Sequence, residues 1–164
     1  GLVEEGMAVL RNVYDRHAAA GMLLNHIECG EHYFRAAAIW AVLPALQGLV
    51  FDATRAELTF APKLRPEDFD TVFILPGVWG RLVQQRTSLG QHNEVHVAAG
   101  ATDIQTLHLE LPPGKAAVVR IVHASCGGEA LPLTWDANGN KVAVQFASTL
   151  RLAPGNAVSV VLQW

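Results

Sequence analysis

The chain of 164 residues predicts an α+β fold: two N-terminal helices, then an antiparallel, sandwich-like β region. Three observations predict it. Residues 3–14 place apolar side chains at helical spacing, and residues 36–49 are apolar on most sides. After about residue 56 apolar residues alternate with polar or small ones between Gly, Pro and Asn punctuation. The division reads as a helical segment 1–52 and a β region 53–164. With 51% hydrophobic and only 16% charged residues, the chain has material for a buried interior, and disorder is not its main state.

In the first helix Val3, Met7, Val9, Leu10, Val13 and Tyr14 form the stripe, with Glu4, Glu5, Arg11, Asp15 and Arg16 largely off it. Ala18-Ala19-Ala20-Gly21 should end this helix, with Gly21 as the residue just beyond its C-cap. A loop from Asn25 to His32 leads into a second helix over about Tyr33 to Leu49. Its Ala36, Ala37, Ile39, Trp40, Val42, Leu43, Leu46 and Leu49 suit the interior of a larger bundle. Pro44 should kink it.

Ala56–Pro62 and Thr71–Leu75 read as strands. Leu107/Leu109/Leu111, Val142/Val144/Phe146 and Val158/Val160/Leu162 follow at period two. Pro112-Pro113-Gly114 and Ala153-Pro154-Gly155-Asn156 mark turns, and Asn138-Gly139 signals a type I′ hairpin. Roughly seven to nine strands at this spacing suggest an antiparallel sandwich. Two helices cannot cover their own apolar surface, so they should pack on the β part or await a missing partner.

The formal charge of −3 leaves no electrostatic footprint for nucleic acid. No stretch reaches the roughly 18–20 apolar residues of a membrane-spanning helix. The start, Gly1-Leu2-Val3-Glu4-Glu5, lacks a basic region and an apolar core, so it does not read as a signal peptide. That leans the setting towards the cytoplasm, and the abrupt helical start reads like that of an excised piece. Cys29 and Cys126 form no metal spacing; two free thiols are expected, with one disulfide as the alternative.

His92 and His96 lie four apart in what reads as loop or strand, where that spacing should not converge, so no metal and no cofactor are expected. Asp68 and Asp103 sit in turn-like contexts and read as solvated. Trp79 reads as a core or interface aromatic ahead of a sugar platform. Ser125-Cys126-Gly127-Gly128 lacks nucleophile-elbow form, and the Gly-rich turns do not resemble phosphate loops.

Between Asn25 and Arg35 lie two carboxylates, two histidines, a tyrosine, an arginine and an amide at the entry to an apolar helix. Carboxylates and guanidinium groups bind adjacent sugar hydroxyls through charge-assisted hydrogen bonds. Helix capping and loop fixation use the same residue types. On residue types alone both readings stay open.

Asn25-x-Ile27-Glu28-Cys29-Gly30-Glu31-His32-Tyr33-x-Arg35, then Ala38-x-Trp40-Ala41-Val42 and Leu46-x-Gly48-x-x-Phe51-Asp52, resembles the closing segment of glycoside hydrolase family 116. That family holds bacterial β-glucosidases and the non-lysosomal glucosylceramidase. The resemblance continues through Leu58–Leu64, Pro66–Phe69 and Gly77-Val78-Trp79-Gly80, and reaches back weakly to Leu2–Glu5 and Tyr14–Arg16. It covers residues 2 to about 85 and is most specific between Asn25 and Asp52.

The resemblance implies that the two helices close an (α/α)₆ toroid, and it implies a retaining mechanism. Retention needs two carboxyl groups about 5–5.5 Å apart, a nucleophile and an acid/base. In the family both lie upstream of this segment, so no catalytic residue is assigned and the isolated chain is expected to be inactive. The closing segment instead hydrogen-bonds the glucose ring near its 4- and 6-hydroxyls. Arg35 matches one such group. The other is usually a carboxylate, and His26 stands at that position; histidine cannot make the same bidentate acceptor contact. Glu28 matches a motif position as ligand or loop tie, and Tyr33 lies nearby as an apolar platform. The implied partners are a β-glucoside-like carbohydrate and the remainder of the catalytic domain. The alternative is a non-catalytic carbohydrate-binding or structural β module.

Overall fold

A computed structural model describes residues 2–22 and 37–164. The chain divides into two compact units, residues 1–46 and 47–164.

In the first unit, α1 spans Val3–Ala19. Glu4 and Glu5 occupy its first turn and Arg16 and His17 its last, the arrangement that complements the helix dipole. It ends as expected at Gly21, whose φ of +72° is open to glycine without strain. Gly21 N donates to Ala18 O at 3.0 Å and Met22 N to His17 O at 2.8 Å, the two bonds of a Schellman motif.

The second helix departs from expectation. Its described part is a 3₁₀ segment, Ala37–Ala41, followed by a short α2, Val42–Gln47. Pro44 has no N–H for the Trp40 carbonyl, and its ring would collide with that carbonyl in continuous α-helix. The chain therefore winds tighter before the proline. No helix among the described residues is long and apolar enough to cross a membrane.

The second unit holds eleven strands, more than the seven to nine expected, because several are short. One sheet contains β1 (Val50–Asp52), β2 (Glu57–Phe60), β6 (Thr102–Glu110), β10 (Lys141–Leu152) and β9 (Leu133–Asn138) in the order β1-β2-β6-β10-β9. The other contains β3 (Asp68–Leu75), β4 (Val78–Arg86), β5 (Gly90–Gly100), β11 (Val158–Gln163), β7 (Ile121–Cys126) and β8 (Glu129–Ala130) in the order β3-β4-β5-β11-β7-β8. The chain is thus α+β and mostly β. Since β1 pairs with β2, it belongs with the sheets and not with the helices.

Pairing is antiparallel with one exception, the parallel pair β2–β6. Between them the chain crosses to the opposite sheet, forms β3, β4 and β5, and returns in the original direction. Turn chemistry alone could not reveal that crossover, since it reports only local reversals.

Period-two alternation fills one core from both sheets: Leu58, Phe60, Leu107, Leu109, Val142 and Val144 from the first, Phe73, Leu82, Val95, Val158, Val160 and Leu162 from the second. Phe60 and Phe73 meet edge to face across it, ring centroids 5.9 Å apart. On β10 the register shifts between Gln145 and Leu150. Gln105 bridges the shift, donating to Phe146 O and accepting from Thr149 Oγ1 at 2.9 Å.

The β9–β10 hairpin forms where expected, with Asn138 opposite Lys141, so its central residues are Gly139 and Asn140. Only Gly139 has positive φ, at +63°, which fits type II′ and corrects the type I′ expectation by one position. The expected I′ geometry appears instead at Gly127–Gly128 between β7 and β8, where φ is +57° and +89°.

Candidate functional site

His26, Glu28, Tyr33 and Arg35, with Cys29, lie outside the described residues. The motif positions from Leu46 onward are described, and Gly48, Asp52, Phe60, Ala61 and Phe69 among them serve as framework, as does the neighbouring Gln47. Gln47 is fully buried, and its side-chain amide donates to Thr71 Oγ1 and Val72 O. Gly48 has φ +55°, and a Cβ there would stand 2.3 Å from Ala61 O. Asp52 folds the turn after β1: Oδ1 accepts from Thr54 N at 2.9 Å, Thr54 Oγ1 at 2.6 Å and Arg55 N at 3.2 Å. The Thr54 hydroxyl, foremost among these donors, holds the Asp52 carboxyl below its usual range. Phe60, Ala61 and Phe69 are buried.

Chemistry-bearing side chains gather on the outer face of β3, β4 and β5. The inward phase of β4 carries Val78, Gly80, Leu82 and Gln84, which leaves Trp79, Arg81 and Val83 outward. On β5, Gln91, Asn93, Val95 and Val97 point inward and His92, Glu94 and His96 outward. Register sets Arg81 opposite His96 and Val72, and Trp79 opposite Ile74.

Arg81 grips Asp70 bidentately, Nε to Oδ1 at 2.7 Å and Nη2 to Oδ2. That contact holds the Asp70 carboxyl below its ordinary range and raises Arg81 further. A shallow groove of about 440 Å³ runs beside this pair, lined by Val72, Trp79, Arg81 and His96 among others. Trp79 is 51% exposed, so it is no core aromatic of this unit.

His92 and His96 do converge, contrary to the expectation for their spacing. Alternate strand residues share a face, so both reach the intervening Glu94: His96 Nε2 is 2.8 Å from Oε2 and His92 Nε2 is 3.4 Å from Oε1. His92 Nε2 also lies 2.8 Å from Ser159 Oγ. No group of three His, Cys, Asp or Glu side chains among the described residues is placed to hold a metal ion. Asp103 belongs to β6 and not to a turn, and it pairs with Arg151 at 3.0 Å. Cys126 is a free thiol, half-buried, with its pKa pushed up chiefly by burial.

Sequence reading missed a polar cluster inside the β unit. Gln84, Gln91 and Asn93 are buried. Gln84 donates to Pro66 O at 2.7 Å, and the Gln91 amide donates to Gln84 Oε1 at 3.2 Å and Asn93 Oδ1 at 3.1 Å. Arg86, its side chain only 7% exposed, donates to Gln91 Oε1 and to Glu110 O, both at 2.7 Å. Desolvation lowers the Arg86 pKa, with Glu67 and Glu110 opposing. The signal was present: Gln91 and Asn93 share the phase of Val95 and Val97. The cluster is a hydrogen-bonded plug spanning both sheets, in which the buried Asn93 Nδ2 has no hydrogen-bond partner among the described residues.

Compared with protein-family models, with curated proteins and with solved structures, the chain matches none of them.

Proposed function

We propose that the chain is the closing segment of a retaining β-glucosidase- or glucosylceramidase-like glycoside hydrolase of family 116 type, contributing sugar contacts without the catalytic carboxylate pair. The observation that carries this reading is the sequence motif from Asn25 to Asp52, dense in side-chain types that bind sugars and continued by the motifs up to Gly80. In it Arg35 donates to the ring hydroxyls, His26 stands in the place of the usual carboxylate, Glu28 accepts from sugar or loop, and Tyr33 flanks them. The helices would close the (α/α)₆ toroid, and the two sheets would form a β-sandwich that supports it.

The roles of the later motif residues support this division of labour. Gly48, Asp52, Phe60, Ala61 and Phe69 are spent on a close approach, a turn and the core. On this reading, contact with the glucose ring of the catalytic site falls to the Asn25–Arg35 stretch. Calorimetric titration with glucose tests it. Arg35→Ala should weaken binding about 10- to 100-fold, the equivalent of one charge-assisted pair of hydrogen bonds. Equal affinity of the variant and the parent would exclude Arg35 from the site.

A further inference from the structure

The groove on β3, β4 and β5 is a feature that the closing-segment reading leaves unused. Trp79 is the aromatic on its wall, half-exposed beside Val72, which is 43% exposed. The register shifts between Trp79 and Gly80, where Trp79 faces Ala99 but Gly80 faces Val97. Such a bulge re-aims the neighbouring side chain and raises local twist. Gly80 is obligatory there, because a Cβ would stand 1.9 Å from His96 O. An indole thus sits at the lip of a groove whose other wall is the planar Arg81–Asp70 pair.

We propose that this groove binds one neutral pyranose ring of an oligosaccharide, its C–H face on the Trp79 indole and its hydroxyl rim against Arg81, Asp70 and His96. Charge selects this ligand class. Arg81 is neutralised by Asp70, and His96 stands 2.8 Å from Glu94, so the groove offers directional hydrogen-bonding groups and little net field. A phosphate, a carboxylate ligand or an ammonium group would gain nothing from it. A pyranose matches both halves, apolar on its face and polar at its rim. Arg81 Nη1 makes no hydrogen bond among the described residues, and each Asp70 oxygen takes a single bond from Arg81, so donors and acceptors remain for hydroxyls. The shallow groove sets a weak affinity, with Kd on the order of 1 mM. None of the groove residues named belongs to the Asn25–Arg35 stretch, and the inference does not rest on the closing-segment reading.

The test is NMR titration of the ¹⁵N-labelled full chain with cello-, xylo-, manno- and malto-tetraose, and with glucuronate and inorganic phosphate for comparison. The proposal expects saturable shifts of the Trp79 indole N–H and of the Gly80, Arg81 and His96 amides with at least one neutral sugar. Trp79→Ala should weaken that binding about tenfold, the loss of one stacking contact, while Trp79→Phe retains part of it. Trp135→Ala, at a partly exposed tryptophan on the other sheet, should change nothing. Trp79 is on the outer face, so its removal leaves the core intact, and an unchanged spectrum elsewhere verifies the fold. No saturable shift with any of the four sugars overturns the proposal, as does tighter binding of glucuronate or phosphate. Sugar binding that survives Trp79→Ala but is lost in Arg35→Ala also overturns it, and leaves the closing-segment reading standing.

Discussion

Leucine substitution at Phe60 and Phe73, singly and together, measures how firmly the two sheets are joined. Both side chains are fully buried, and their rings meet at 5.9 Å with planes inclined by 64°. Truncation of either to alanine should cost ~3–5 kcal/mol in lost transfer energy and cavity. Two such losses would use up most of the ~5–15 kcal/mol that stabilises a domain, so the leucine pair suits a cycle better. Each leucine should cost about 1–2 kcal/mol, and the double variant should fall short of their sum by about 0.5–1.5 kcal/mol, the worth of an edge-to-face contact. Urea unfolding followed by circular dichroism, with slopes checked for equality, gives all four values. Coupling below about 0.3 kcal/mol would refute direct contact between the rings. A Phe73→Ala cost below about 1 kcal/mol would refute its place in a shared core.

Gly48→Ala should destabilise by ~2–4 kcal/mol, because it combines positive φ with a Cβ 2.3 Å from Ala61 O. Gly139→Asn meets no clash but is strained at φ +63° in a type II′ turn, and should cost about 1–2 kcal/mol, less than Gly48→Ala, in the same urea unfolding series. Arg86→Met should cost ~2–4 kcal/mol by leaving Gln91 Oε1 and Glu110 O unpaired; a neutral change would mean the plug is not needed. Asp70 is depressed in the folded state, so its contribution is present above its unfolded pKa near 3.8 and disappears as pH falls through the lower folded value. Asp70→Asn should therefore lower the melting temperature slightly at neutral pH and converge with the parent in strong acid. A constant difference across that range would contradict the Arg81 pairing.

Much of the fold was legible because strands report their burial every second residue. Leu107 and Leu109, Val142 and Val144, and Val158, Val160 and Leu162 all face the core their alternation predicts. Gly21 announced the end of α1 through the local cost of positive φ. What escaped was non-local or polar. The parallel β2–β6 pair depends on a crossover of three strands, and the β10 bulge on a partner strand far away in sequence. Gln84, Gln91 and Asn93 share the phase of the core, but their polar side chains hide it from a pattern carried by apolar residues. Trp79 and the His92–Glu94–His96 row became visible only once strand direction assigned them a face. His26, Glu28, Tyr33 and Arg35 lie outside the described residues, so they rest on motif and chemistry alone.

The most direct test of the central claim is turnover of aryl β-glucosides by the isolated chain. No turnover is expected, since the nucleophile and the acid/base of a retaining enzyme of this type lie upstream of this segment. Turnover that a single Glu or Asp replacement within the chain abolishes would contradict it.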